Sequence, residues 1–239
     1  MGAYQVAQFS PDSVSQSVMI EAAENICLDY SFQKNYLNHY ALKSHQKAVH
    51  AKETKLLDEL IFPIKDFEDQ GIKDTLTLKL LDRLPAILGK NKQITVGNAC
   101  LTHDGAAFVT LSQRESPFEM IDYTEVAGDP KRCPELVVKA TKAILERNEL
   151  TMSCIDAVEW NEAFAVTDAL FDYYFSGFRD IYNIFGGALA YGHPYGASGA
   201  INLLHLMQAL KLKKGKLGVT AIAAAGGVAI AILVSYKGE

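Results

Sequence analysis

"NIFGGALAYGHPYGASGA", residues 183–200, places glycines at 186, 187, 192, 196 and 199 ahead of a helical pattern over about 197–210. Glycine at that density serves turns and close backbone approach, so the segment reads as a loop that runs into a helix. Pro194 biases His193 away from helical conformation, and the imidazole therefore projects from the loop. An isolated histidine is more often structural than chemical. Here its neighbours supply no second group that titrates near neutrality, which makes His193 the proton-handling candidate of the segment.

Elements on either side give the fold class. "IDAVEW" (155–160) reads as a strand, and two short strands are expected near 217–223 and 227–235, separated at Gly226-Gly227. "PELVVKATKAILERNEL" (134–150) reads as an amphipathic helix: Pro134 suits a first turn, Glu135 the start and Arg147 the end, with Leu136, Ala140 and Ile144 on one face. A second helix is expected over about 163–175, with Val166, Leu170 and Tyr173 in one stripe and Asp168 and Asp172 on the solvated side. "AAFVTLS" (106–112) reads as a buried strand. Near-continuous apolar strands alternating with helices predict an α/β fold whose sheet is covered on both faces.

Upstream the texture differs. Residues 33–60 carry the pattern of a surface helix with Tyr36, Tyr40, Ala48 and Leu56 among polar residues. Residues 63–93, with turns at Asp69–Gly71 and Gly89–Asn91, read as a hinge or linker. The division expected is 1–93 as a partial, α-rich loop domain and 94–239 as the main domain.

Composition excludes several function classes. The 239 residues are 49% hydrophobic, enough for a proper core, and carry a net charge of −5. No basic block is long enough to track phosphates, and "KLKKGK" (211–216) reads as a solvated helix end, so nucleic acid is not an expected partner. Cys27, Cys100, Cys133 and Cys154 are scattered without a CxxC pair, which argues against a zinc site or disulfide framework and fits a reducing cytoplasm. "MGAYQVAQFSPDSV" shows no leader signature. The apolar run 217–234 is long enough to raise a membrane span, but Gly226-Gly227 splits it and its alanines add little apolar area.

Three stretches place polar groups at strand-to-helix junctions, where α/β folds bind ligands: "VGNACLTHDGAA" (96–107), "EWNEAF" (159–164) and the opening segment. Singly each is weak, and Asn161 could merely cap a helix. A dinucleotide site is not indicated, since no GxGxxG follows a first strand. Together and in this order the stretches resemble the C-terminal half of the thiolase family, whose pattern runs GN[AS]S-x-x-x-DGAA, NEAF, GG-x-x-x-GHP-x-GASGA and C-x-GGG-x-G. Residues 97–107, 161–164 and 186–200 carry the match, and 19–48 resemble the family's "MG-x-TAENVA…ALRSHQ-x-A" stretch.

The resemblance implies a thiolase-like C-terminal domain, a mixed sheet with helices on both faces, and part of the loop domain. Thiolases make or break the carbon–carbon bond between a 3-ketoacyl thioester and acetyl-CoA through a cysteine nucleophile. It implies no resident cofactor, with coenzyme A as substrate and a place in fatty acid metabolism. His193 would activate the nucleophile, and with a water held by Asn161 would form an oxyanion site. Val96, Cys100, which stands where the family has serine, and Phe164 would line the pantetheine channel. The Ala223 N–H would face an oxyanion.

The sequence departs from the pattern in two places. The resemblance places the family's nucleophile in an N-terminal domain that is expected to be missing from these residues, so a separate N-terminal half or a homo-oligomer is an expected partner. Ala221 stands at the second, proton-exchanging cysteine, and Ala223–Ala225 replace glycines, whose new Cβ atoms are expected to crowd a tight turn. These residues alone are thus expected to be inactive. The alternative is a non-catalytic module that binds coenzyme A or a protein partner.

Overall fold

The computed structural model describes residues 17–65 and 68–238, so the N-terminal stretch on which the leader reading rests lies outside the described residues. Strands β1 (Phe118–Ala127), β2 (Ala157–Trp160), β3 (Leu217–Ala224) and β4 (Val228–Tyr236) form one sheet in the order β1-β4-β3-β2. β2 lies parallel to β3, and the other two pairings are antiparallel. The run 217–234 is therefore a hairpin, turned by Gly226 and Gly227 at φ 92° and 82°, which L side chains rarely adopt. Among the described residues no helix is long and apolar enough to cross a membrane.

Alternation along the hairpin sets the layers. Val219, Ala221, Ala229, Ala231 and Leu233 face a core shared with Val137, Ile144 and Leu145 of α4 (Leu136–Arg147) and with Val166 and Leu170 of α5 (Ala165–Tyr174). Ile232 and Val234 point the other way, onto Leu206, Ala209 and Leu210 of α7 (Tyr195–Lys213). The period of two in the strands thus places helices on both faces, as the apolar patterning implies.

The α-rich segment is α1 (Val18–Tyr30), α2 (Lys34–Glu53) and α3 (Leu78–Arg83). Ile26, Leu37, Tyr40, Leu81 and Ile94 join the same core cluster as α4 and α5. Helix α2 is accordingly not a surface helix, because Leu37, Tyr40, Ala41 and Ala48 are buried. Nor is 63–93 only a linker: it contains α3, and the Lys73 N–H donates to His45 Nδ1 at 3.2 Å.

Four further expectations are corrected. Residues 106–112 form no strand and are largely exposed, with Phe108 88% and Leu111 74% accessible and Ala107 and Val109 half-buried, because no neighbouring strand pairs with them among the described residues. Asp168 is buried, not solvated: α2 covers that side of α5, and Arg179 pairs with Asp168 at 2.8 Å. Tyr173, placed on the apolar stripe, is exposed, while Val166 and Leu170 are buried. The alanines at 223–225 crowd no turn. Ala223 and Ala224 lie in β3, where a Cβ is accommodated, and the positive φ angles fall on the glycines that follow.

Candidate functional site

Backbone hydrogen bonds knot the three polar stretches together. The Cys100 N–H donates to the Ala163 carbonyl at 2.9 Å, and the Ala165 N–H to the Asn98 carbonyl at 2.9 Å. The His193 N–H donates to the Leu101 carbonyl at 2.7 Å. Gly192, at φ 89°, ends the short helix α6 (Ala188–Tyr191) and turns the chain into His193 immediately before α7. Asn161 ends the β2 extension, its N–H donating to the Ala221 carbonyl on β3 at 3.1 Å. Its side chain does not cap α5, where the N-cap residue is Phe164.

The two side chains read as chemical from the sequence meet here. His193 Nε2 lies 3.4 Å from Asn161 Nδ2, and His193 Nδ1 lies 2.5 Å from Ser198 Oγ. An amide nitrogen only donates, so Nε2 accepts and Nδ1 carries the proton towards Ser198; the tautomer follows from these partners. Burial lowers the His193 pKa to about 4, which leaves the imidazole neutral, with its lone pair on Nε2, near pH 7. The Tyr195 ring stands edge-on to the imidazole at 4.9 Å, and its hydroxyl lies 2.9 Å from Thr102 Oγ1.

Val96, Cys100, Phe164, His193 and Ala223 all line one cavity of about 400 Å³, closed on other sides by Met19, Ile20 and Ile222. Asn161 lines an adjoining cavity of about 10 Å³, which shares Phe164 and Ala223 with the larger one. A cavity of that size is at the lower limit for holding one water. Asn161 Oδ1 is buried and has no hydrogen-bond partner among the described residues. Burial pushes the Cys100 thiol up to about 12, so it is protonated and a poor nucleophile at neutral pH. Ala221, on the same strand face as Ala223, is buried in the core.

Sequence reasoning missed the supports beneath the site. Glu162, beside Asn161, is buried; it accepts from Ser44 Oγ of α2 at 2.5 Å and from Asn183 Nδ2 at 2.9 Å. Ser44 in turn accepts the Gly187 N–H at 3.0 Å, and a Cβ on Gly187 would come within 2.7 Å of Glu162. Glycine is thus required there for close approach. Ser198 was visible only as part of a motif, although its place in the first turn after Pro194 carries it back to the histidine.

Comparison with known proteins agrees with this architecture. The model of the thiolase N-terminal domain matches residues 4–115, and that of the thiolase C-terminal domain matches residues 116–236. An acetyl-CoA acetyltransferase of Synechocystis is 33% identical over 240 residues, 92% of this chain and 61% of the relative. A probable acetyl-CoA acyltransferase of Staphylococcus aureus is 31% identical over 95% of this chain and 62% of its own length. Among solved structures, the Bacillus anthracis acetyl-CoA acetyltransferase superposes with a TM-score of 0.86 at 26% identity, over 91% of this chain and 60% of that one. A thiolase from Ascaris suum in complex with coenzyme A gives 0.82 at 32% identity, again over 91% and 60%. The chain therefore spans about three-fifths of the length of the relatives it matches. On the match of both domain models and the shared fold, the chain belongs to the thiolase family.

Proposed function

We propose that the cavity between His193 and Phe164 binds the thioester end of an acyl-CoA, and that the chain is the coenzyme A-binding portion of a thiolase-type acyltransferase. The observation that carries this reading is the pairing of a neutral His193 with the buried amide of Asn161 beside an apolar cavity of about 400 Å³. A thioester carbonyl placed between them would meet an amide-held water, a donor suited to charge that develops on its oxygen, while the Nε2 lone pair would be placed to take a proton from an attacking nucleophile. Val96, Cys100 and Phe164 would contact the pantetheine arm, and the apolar walls suit a short acyl group. Coenzyme A is then a substrate, and the reading calls for no resident cofactor.

These residues by themselves are proposed not to turn over. Cys100 is the one cysteine on the cavity wall among the described residues, and its thiol is protonated. Ala221 presents a methyl where the family pattern has a proton-exchanging cysteine. The remaining part of the active site would come from residues that pack on the exposed ribbon 106–112, in a separate N-terminal half or in a homo-oligomer. The alternative, a module that binds coenzyme A without chemistry, is favoured specifically by Ala221. An acetoacetyl-CoA thiolysis assay, run with and without a supplied thiolase N-terminal half, separates the two. A rate only in the complemented reaction supports the acyltransferase reading; binding of coenzyme A without any rate in either supports the alternative.

A further inference from the structure

Asn202 lies one turn beyond Ser198 on α7, so the two share a helix face. It is buried at 8% exposure, unusual for a side chain that carries two polar atoms. The neighbouring groups decide its amide orientation: the nitrogen donates to the Ser198 carbonyl at 3.2 Å and the oxygen accepts the Asn161 N–H at 3.2 Å. That N–H is shared with the Ala221 carbonyl at 3.1 Å. One helix face therefore holds both halves of the candidate site, Ser198 gripping the His193 ring and Asn202 gripping the Asn161 backbone.

We propose that Asn202 is a positioning residue for the site, fixing Asn161 so that its amide stays against His193 Nε2. The inference rests on the assignment of Asn161 and His193 as the site, and goes beyond it by naming what sets their geometry. β3 alone supplies one acceptor to the Asn161 N–H, and a strand end held by a single bond can pivot. The second acceptor comes from a helix packed on the opposite face of the sheet from α4 and α5. Asn161 is thus braced from two layers, and a carbonyl-to-amide path runs Ser198, Asn202, Asn161, His193. With the brace removed, Asn161 turns, Nε2 opens to water and the imidazole accepts a proton more readily.

The test uses Asn202→Leu, which keeps the volume and removes both amide contacts, beside Gln208→Leu as a control on the same helix. Gln208 is equally buried, its amide donates to the Leu56 carbonyl at 2.8 Å, and neither residue lines the cavity. The His193 titration midpoint is read by proton NMR, and affinities for acetyl-CoA and coenzyme A by calorimetry. Asn202→Leu should raise the midpoint by about one unit. It should also lower the preference for acetyl-CoA over coenzyme A about fivefold, the effect of one hydrogen bond. Coenzyme A affinity should stay unchanged, and Gln208→Leu should move neither readout. If Asn202→Leu does not fold, Asn202→Ser carries the same expectation. A midpoint that stays in place, or moves equally in the control, overturns the proposal. Should the wild-type chain bind neither ligand, the thioester reading fails while the titration still decides the role of Asn202.

Discussion

Ser198 Oγ stands 2.5 Å from His193 Nδ1, on the opposite side of the ring from Asn161. A hydroxyl can donate or accept, but the Asn161 amide on the far side can only donate, and the imidazole is therefore protonated at Nδ1. The site nitrogen is left with its lone pair towards the amide and the cavity. Asn161→Ala should release this constraint: two-bond ¹⁵N–¹H spectra of the wild type should show the Nδ1–H tautomer, and those of the variant a mixture. An unchanged tautomer in the variant would assign that role elsewhere.

His45 gives the stability of the fold a pH dependence. Burial, followed by the charge of Lys73, lowers its pKa from 6.5 to about 4, and its Nδ1 accepts the Lys73 N–H only while unprotonated. Between those values the unfolded chain binds the proton and the folded chain does not, so stability falls as pH drops below about 6.5 and levels off near 4. Each such histidine contributes a slope of at most about 1.4 kcal/mol per pH unit. His45→Asn, which keeps an acceptor without a titrating group, should flatten the fall in denaturant midpoint between pH 6.5 and 4.5. An equally steep fall in the variant would remove His45 from the account.

Restoring a thiol at Ala221 probes the alignment itself. Its methyl sits on the strand face of Ala223, which borders both cavities, and a cysteine adds a single sulfur atom there. In a reaction supplied with a thiolase N-terminal half, Ala221→Cys should raise the thiolysis rate by about 10²-fold or more, the usual worth of a positioned acid/base. No gain, with the complemented wild type already fast, would show that another group exchanges the proton.

The exposed ribbon makes a solution prediction. Phe108 and Leu111 are large apolar side chains exposed on a segment that forms no strand among the described residues, and such exposed apolar groups favour packing with another chain. Light scattering of these 239 residues should show self-association that increases with concentration. Phe108→Asp with Leu111→Lys should shift the mass towards monomer. A wild type that remains monomeric at high concentration would contradict the docking role of this face.

What the sequence reveals follows from where its periodicity is local. The β3–β4 hairpin, α4, α5 and α7 are legible because their apolar spacing and their glycine turn act over neighbouring residues. Residues 106–112 have the composition of a buried strand, yet a strand exists only through its neighbour, and sequence cannot supply one. Asp168 shows the same limit: on α5 alone it opposes the apolar stripe, but α2 buries that side, and Arg179, held between the rings of Tyr40 and Tyr182, compensates the charge. His193 and Asn161 were legible through motif spacing. Glu162, Ser44 and Asn202 were not, since each supports the site through a partner distant in the chain or on another face.

The His193–Asn161 cavity is proposed to hold a coenzyme A thioester, and calorimetric titration of the chain with acetyl-CoA decides whether it does. Saturable binding is expected, weakened about tenfold or more when Phe164→Asp places a charge in the apolar wall. Asn161→Ala should lose the preference for acetyl-CoA over coenzyme A. Absence of any binding heat at millimolar acetyl-CoA, or binding indifferent to both substitutions, would contradict the proposal.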